Sequence, residues 1–324
     1  MSDKKLEAEK SVFNRLSEYE IFRYNRRGIF NNILSISMLV GFFYVANILK
    51  DYWPKEKLDE GKWYFWGILI LHSGCFVFFN FLMYLIYMAE LPYFEQFKTY
   101  TENWPWKQNP EEWSKLWDRT KKGLIINQCI IFPLAISPHY ILGNSPMAVQ
   151  FEDLPDLKTI IIQILFFLIV EDLSFYLMHR LMHHPAIYKY FHKVHHEHKF
   201  VIGIVSEYTH PVDFLFSNLL TSSLGSLILG RECHLYTYLV WLFLRVWETT
   251  DGHCGYEFPW SPFRLLPLSA GEDYHNHHHL YYDGNYGSFL TIWDRFFNTT
   301  NDQFKRFINR KYEAKPTEKV EKSE

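Results

Sequence analysis

Residues 157–198 read LKTIIIQILFFLIVEDLSFYLMHRLMHHPAIYKYFHKVHHEH and join two unlike halves. The first, 157–178, is an apolar run. A helix needs about 20 such residues to cross a hydrocarbon layer of about 30 Å, and the run has that length. The second, 178–198, carries seven histidines within twenty-one residues. A cluster of imidazoles directly after a membrane span sets the reading of the fold. It is all-α: a polytopic membrane protein capped by a histidine-rich di-metal domain.

Working outward from that junction, further spans follow from run length. They are 29–49, 63–88 and 123–142, the last with Pro133 and Pro138 as candidate kinks. The run 212–247 is broken by GRECH at 230–234 and reads as a helical hairpin whose arms are short for a full crossing. The expectation is therefore about four transmembrane helices plus a hairpin. The segments sort into a cytosolic N-terminal stretch (1–28), a single integral-membrane domain (29–310) and a charged, disordered tail (311–324). A soluble helical protein is the competing reading. Its mean hydropathy of −0.17 would suit it, but that average hides apolar runs separated by charged loops. Aromatic residues make up 19% of the 324 residues, more than an ordinary core needs. With a net charge of only −3, nothing argues for nucleic acid as a partner, and none is expected. The four cysteines form no CxxC pair and no disulfide framework.

Basic residues orient the chain. Arg23, Arg26 and Arg27 precede the first span, and Lys115, Arg119, Lys121 and Lys122 precede the third. The positive-inside rule puts these in the cytosol, and four crossings return the chain to the cytosolic side at His179. The segment 95–122, rich in tryptophan, reads as an amphipathic stretch along the interface.

Fourteen of the sixteen histidines lie between 179 and 279. His179 and His183 form HxxxH. His192, His195 and His196 form HxxHH, and His275, His278 and His279 form a second HxxHH. Helical positions three or four apart share a face, so HxxHH can point two imidazoles at one ion and a third at a neighbour. Eight imidazoles exceed the four ligands of one tetrahedral zinc site, so they suit two metals. Iron, zinc or another metal that prefers imidazole is compatible, and oxygen-activating iron fits an all-histidine set best. Ligating imidazoles must be neutral, so activity is expected to fall below about pH 6.

HRLMH, HKVHH and HNHHH resemble the three histidine boxes of the fatty acid hydroxylase and sterol desaturase superfamily. The resemblance covers roughly 160–300. Within it SEYTHPVDF, ETTDGHCGYEFPWSPFRLLPLSAG and NYGSFLTIWDRFFNTT look like the C-4 methylsterol monooxygenase branch. It implies two iron ions, O2, and electrons from NAD(P)H through a cytochrome b5-type carrier and its reductase, with zinc able to replace iron in isolated protein. It also implies an endoplasmic reticulum membrane location, with the boxes facing the cytosol, and stepwise oxidation of a sterol C-4 methyl group. Sterol C-5 desaturation, side-chain dealkylation and fatty acyl hydroxylation are the alternative reactions. A metal transporter is the rival of another class, but it would hold its ligands mid-membrane rather than after a span ends.

Carried onto this sequence, the resemblance makes His179, His183, His192, His195, His196, His275, His278 and His279 metal ligands. His253, in DGHCGY, matches a further ligand, and His210, in EYTHP, is a tenth candidate. Tyr274 stands where the branch carries another histidine, and His277 where it carries an aromatic. His184, His198 and His277 lie beside the boxes but off their pattern. No catalytic residue beyond the metal ligands and no organic cofactor site is assigned. Asp172 and Asp251 are expected to accept the free N–H of ligating imidazoles. Glu171, Glu207, Glu248 and Asp273 read as solvated or salt-bridged, with Arg180 and Arg245 as partners.

Overall fold

The computed structural model describes residues 27–266 and 268–313; the expected cytosolic N-terminal stretch and the charged tail fall almost wholly outside these. The described residues form helices and turns, with isolated bridges but no strand. Five helices are long and apolar enough to cross a membrane: α1 (Arg27–Tyr52), α2 (Glu60–Ala89), α3 (Pro110–Leu142), α4 (Leu157–Met182) and α6 (Pro211–Glu232). Between α4 and α6 lies a short helix, α5 (Pro185–Phe191). After α6 come α7 (Leu235–Gly252), α8 (Glu272–Tyr281), α9 (Ile292–Phe296) and α10 (Asp302–Glu313).

Local chemistry sets the ends. Asp59 caps α2 by accepting the Lys62 N–H at 3.0 Å, and Asp156 caps α4 by accepting the Thr159 N–H at 2.7 Å. Pro110 begins α3, with Glu111 and Glu112 in its first turn, where the helix dipole favours acids. Inside α3, Asn127–Ile131 forms a π turn. Pro133 follows it and has no N–H to return to the previous turn, so the ladder is re-spaced rather than broken. α4 runs on to Met182 and stops before Pro185, which holds His184 extended.

The faces of the spans meet the medium expected for lipid. Ile29 is 80% exposed and Phe30 75%, and Leu134, Ile141, Ile162 and Ile169 are also exposed. A soluble bundle would bury such residues, so that reading is discarded. α7 packs along α2, and the second half of α6 packs on α4. A Cβ on Gly225 of α6 would come within 2.7 Å of Phe167 Cδ1 and 3.0 Å of its Cα. The small residue is what lets the two helices approach.

Three expectations shift. The third span starts earlier than 123, because the amphipathic segment from Pro110 continues into it as one helix. Trp104 from the preceding loop is not interfacial: it is 1% exposed and packs with Tyr87, Trp106 and Tyr256. The break at 230–234 is present, but the first arm of the hairpin, α6, is itself long and apolar enough to cross. The second arm, α7, carries Arg245, Glu248 and Asp251 and is not among the five.

Candidate metal centre

The end of α4 delivers the first box. His179 lies on its last turn and His183 is the residue that closes it. α5 turns the chain back and ends at His192, and a single 3-10 turn, His195–Glu197, carries the next pair. His253 terminates α7, and α8 carries His275, His278 and His279. These segments converge on one end of the bundle.

Nine histidines gather into two groups. His179, His183, His192, His196 and His278 form one, and His195, His253, His275 and His279 the other. Within each group the nitrogens lie within 4.8 Å of one another. The groups abut, with the His196 and His279 rings 4.7 Å apart. Each HxxHH box divides as its spacing allows: His192 and His196 enter one group and His195 the other. His275 and His279 enter the second and His278 the first. Box two does so from a turn rather than a regular helix.

The hydrogen bonds fix the tautomers. A carbonyl only accepts, so an imidazole nitrogen facing one must carry the proton. His179 Nδ1 donates to Tyr286 O at 3.0 Å, His195 Nδ1 to Tyr208 O at 3.2 Å and His278 Nδ1 to Gly284 O at 2.8 Å. His279 Nδ1 donates to His198 O at 3.2 Å and His253 Nδ1 to Thr249 O at 2.8 Å. The neutral rings therefore turn a bare Nε2 inward. His275 Nε2 meets His253 Nε2 at 2.8 Å, and His278 Nε2 meets His183 Nε2 at 3.1 Å. His179 Nε2 and His192 Nε2 are buried with no hydrogen-bond partner. Buried lone pairs converging on a common point are costly alone and fit a shared cation.

Burial also holds the rings neutral. It pushes His195 down to about 4 and His278 to about 3. Burial first, and neighbouring imidazoles second, carry His183, His196, His253, His275 and His279 well below the ordinary range.

His210 stands apart from both groups: its Nδ1 accepts the Val212 N–H at 3.2 Å, and its ring packs on Phe191. The carboxylates expected behind the imidazoles do other things. Asp172 lies two turns before His179 and accepts the Leu290 N–H at 2.9 Å, tying down the loop after α8. Asp251 pairs with Arg264 at 2.9 Å and accepts the Ser261 hydroxyl. The carboxylate that does support a ring is Asp213, which takes the His192 Nδ1 proton at 2.7 Å and the Ser217 hydroxyl at 2.6 Å. It sits in the quoted SEYTHPVDF, yet no spacing rule links it to His192. Arg245 bridges Glu171 and Glu248, each at 2.8 Å, as the salt-bridged reading expects. His198, off the box pattern, bonds Thr120 Oγ1 at 2.7 Å and offers its carbonyl to His279.

Apolar spans and paired imidazole groups at one bundle end define the class: a multi-pass membrane protein with a two-centre histidine site. Comparison with known proteins narrows it. The family described as fatty acid hydroxylase matches residues 164–299. Methylsterol monooxygenase 1 of Danio rerio is 32% identical over 246 residues, covering 76% of this chain and 81% of its own. Methylsterol monooxygenase 2-2 of Arabidopsis thaliana is 36% identical over 236 residues, covering 72% and 84%. A very-long-chain aldehyde decarbonylase, GL1-11 of Oryza sativa, is 43% identical over a shorter 152 residues, 46% and 56% of the two chains. No solved structure matches. The chain belongs to the fatty acid hydroxylase family, where it groups with the methylsterol monooxygenases, and it is an oxidoreductase.

Proposed function

We propose that this chain oxidises the C-4 methyl group of a sterol precursor. The observation that carries the reading is the pair of buried, neutral imidazole groups in a chain whose methylsterol monooxygenase relatives match along most of its length. His179, His183, His192, His196 and His278 would hold one iron ion, and His195, His253, His275 and His279 the other. Bound iron supplies the activation of O2 that insertion into an unactivated C–H bond requires. One turnover consumes the methyl group, O2, two electrons and two protons and yields a hydroxymethyl group and water. Further rounds reach the carboxylate. NAD(P)H is the electron source, through its reductase and a cytochrome b5-type carrier.

The chain's part is to hold the rings, exclude water and present the substrate. Asp213 and the carbonyls of Tyr286, Tyr208, Gly284, His198 and Thr249 fix ring orientation. The orientation in the membrane is cytosolic for the histidine end. The basic stretch 115–122 within α3 supports this, because Arg119 pairs with Glu197 at 3.0 Å and so abuts the second box. The membrane would be that of the endoplasmic reticulum.

The test is sterol profiling by mass spectrometry in yeast lacking its own C-4 methylsterol oxidase. Expression should remove 4,4-dimethylsterols and restore growth, and His195→Ala should abolish both effects. Persistence of 4,4-dimethylsterols with metal-loaded protein would assign the site to another lipid. Aldehyde, acyl, C-5 and side-chain products would then be sought.

A further inference from the structure

The loop after α8 carries two carbonyl braces, and both serve the group of five. Gly284 O accepts from His278, and Tyr286 O from His179. The braces of the group of four, Tyr208, Thr249 and His198, lie elsewhere in the chain. Asp294 of α9 holds the loop at 286–287, with a carboxylate that is fully buried. Its Oδ1 accepts the Tyr286 N–H at 3.0 Å and the Thr299 hydroxyl at 2.7 Å, and its Oδ2 accepts the Gly287 N–H at 2.7 Å.

The Gly287 N–H and the Tyr286 carbonyl belong to one peptide group, and in a trans peptide they point opposite ways. One side of this unit therefore meets Asp294 at 2.7 Å and the other meets His179 Nδ1 at 3.0 Å. An N–H bonded to a charged carboxylate makes a hydrogen bond roughly twice as strong as a neutral pair. That bond draws electron density toward the carbonyl oxygen on the far side, and bonds in such a chain strengthen one another by about 10–30% each. The better acceptor pulls harder on the His179 Nδ1 proton, which makes its bare Nε2 the stronger ligand.

The surroundings favour the charged carboxylate. Burial pushes Asp294 up, and the Thr299 hydroxyl and the two N–H groups pull it back. Behind Thr299 stands a compensating charge. The exposed Arg180 donates through Nη1 to the Tyr176 hydroxyl at 3.1 Å. Tyr176 in turn donates to Thr299 Oγ1 at 3.0 Å, since the Thr299 proton already points at Asp294. Packing keeps Gly287 in register: a Cβ there would collide with Leu290 O and come within 3.2 Å of Asp294 Oδ2.

We propose that Asp294 is a positioning residue for His179, acting through the 286–287 peptide group. The inference rests on the reading that each histidine group holds an ion, and it makes the two centres unequal. The group of five is backed by two carboxylates, Asp213 directly and Asp294 through a peptide. It should hold its ion more tightly for this and favour the ion's more highly charged state.

The experiment uses the full chain in lipid nanodiscs, loaded with iron and studied by chelator competition and by anaerobic redox titration. Asp294→Asn sets an N–H₂ against one of its own donors. It should release one of two ions at about tenfold lower chelator and raise the midpoint potential of one iron, leaving the other unchanged. In a His195→Ala background the remaining ion sits in the group of five, and the loss should persist there in full. Gly287→Ala displaces the peptide from the other side and should reproduce both shifts, so the outcome does not depend on Asp294→Asn folding. Asp172→Asn loosens the same loop at Leu290 without touching this peptide. It should lower the melting temperature and leave the potentials alone, whereas a merely structural anchor would make it behave like Asp294→Asn. Unmoved potentials in Asp294→Asn with two ions bound overturn the inference. So does an equal shift in Asp172→Asn, Gly287→Ala titrating like the parent, or loss of both ions at one chelator concentration. A parent chain that holds no iron overturns this inference and the reading beneath it. The expected shifts in a chain that leaves 4,4-dimethylsterols untouched keep the role of Asp294 and refute methyl oxidation. Methyl oxidation with potentials unmoved in Asp294→Asn does the reverse.

Discussion

Asp213→Asn removes one negative charge while keeping the shape of the side chain. In the parent chain Asp213 is 1% exposed and accepts two hydrogen bonds, from His192 Nδ1–H at 2.7 Å and the Ser217 hydroxyl at 2.6 Å. The amide keeps one oxygen acceptor but presents an N–H₂ where the second stood, so one donor meets another. The His192 ring loses either its orientation or the carboxylate that makes it a stronger base. Supports of this kind cost 10–100-fold in metal affinity when removed, or about 1.4–2.7 kcal/mol. The loss should fall on the group of five, because Asp213 touches His192 and not the group of four. Ser217→Ala should cost less, about 0.5–1.5 kcal/mol, since it removes one neutral donor. Chelator competition followed by metal counting on nanodisc-embedded protein reads both. One ion should leave Asp213→Asn at a chelator concentration at least tenfold lower than it leaves the parent, while the second ion is retained. Equal chelator resistance, or loss of both ions together, would refute the claim that this carboxylate supports one centre.

Other expectations follow from the same geometry. His210→Ala should keep two ions per chain, whereas His195→Ala should lose one, by elemental analysis; loss of an ion from His210→Ala would restore it as a ligand. Acid should destabilise the metal-free protein through rings buried neutral. His195 titrates at about 4 and His278 at about 3 when folded, against about 6.5 unfolded, so the unfolded chain binds more protons as pH falls. Stability should start to decline below about pH 6.5 and continue to about pH 4, by about 1.4 kcal/mol per unit for each such ring. A melting temperature independent of pH between 7 and 5 would contradict this. Arg245→Met leaves Glu171 and Glu248 facing each other in a buried space and should cost about 3–5 kcal/mol, lowering the melting temperature at unchanged metal stoichiometry.

Much of this was legible in the sequence because it depends on spacing. Run lengths of 29–49 and 157–178 gave spans within a few residues of Arg27–Tyr52 and Leu157–Met182. The HxxHH boxes carry their own two-plus-one division. What was not legible depends on chain crossings. Asp172 and Asp251 are near the boxes in sequence, but their carboxylates are used by a loop amide and an arginine. Asp213 is twenty-one residues from His192 and reaches it only because α6 folds back beside α5. That α6 alone is long enough to cross is hidden in the sequence, where the break at 230–234 leaves each arm of the hairpin short; folded, the helix runs from Pro211 to Glu232. Its hydroxyls are satisfied within the helix itself, as Thr221, Ser222 and Ser223 donate to carbonyls of the preceding turn, and the Asn218 amide donates to Ser206 O before the helix.

Five of the nine imidazoles of the centre are braced by main-chain oxygens: those of Tyr286, Tyr208, Gly284, His198 and Thr249. A main-chain oxygen is the same whatever side chain it belongs to. The bracing itself therefore puts no demand on the side chain at these positions, although Gly284 is held by its own backbone: its φ is +78°, and a Cβ there would come within 2.2 Å of Thr299 O. A deep mutational scan should show intolerant histidines set among more permissive braces, with Asp213 and Gly284 the exceptions. An insertion or deletion near 284–286, by contrast, should be as damaging as losing a histidine.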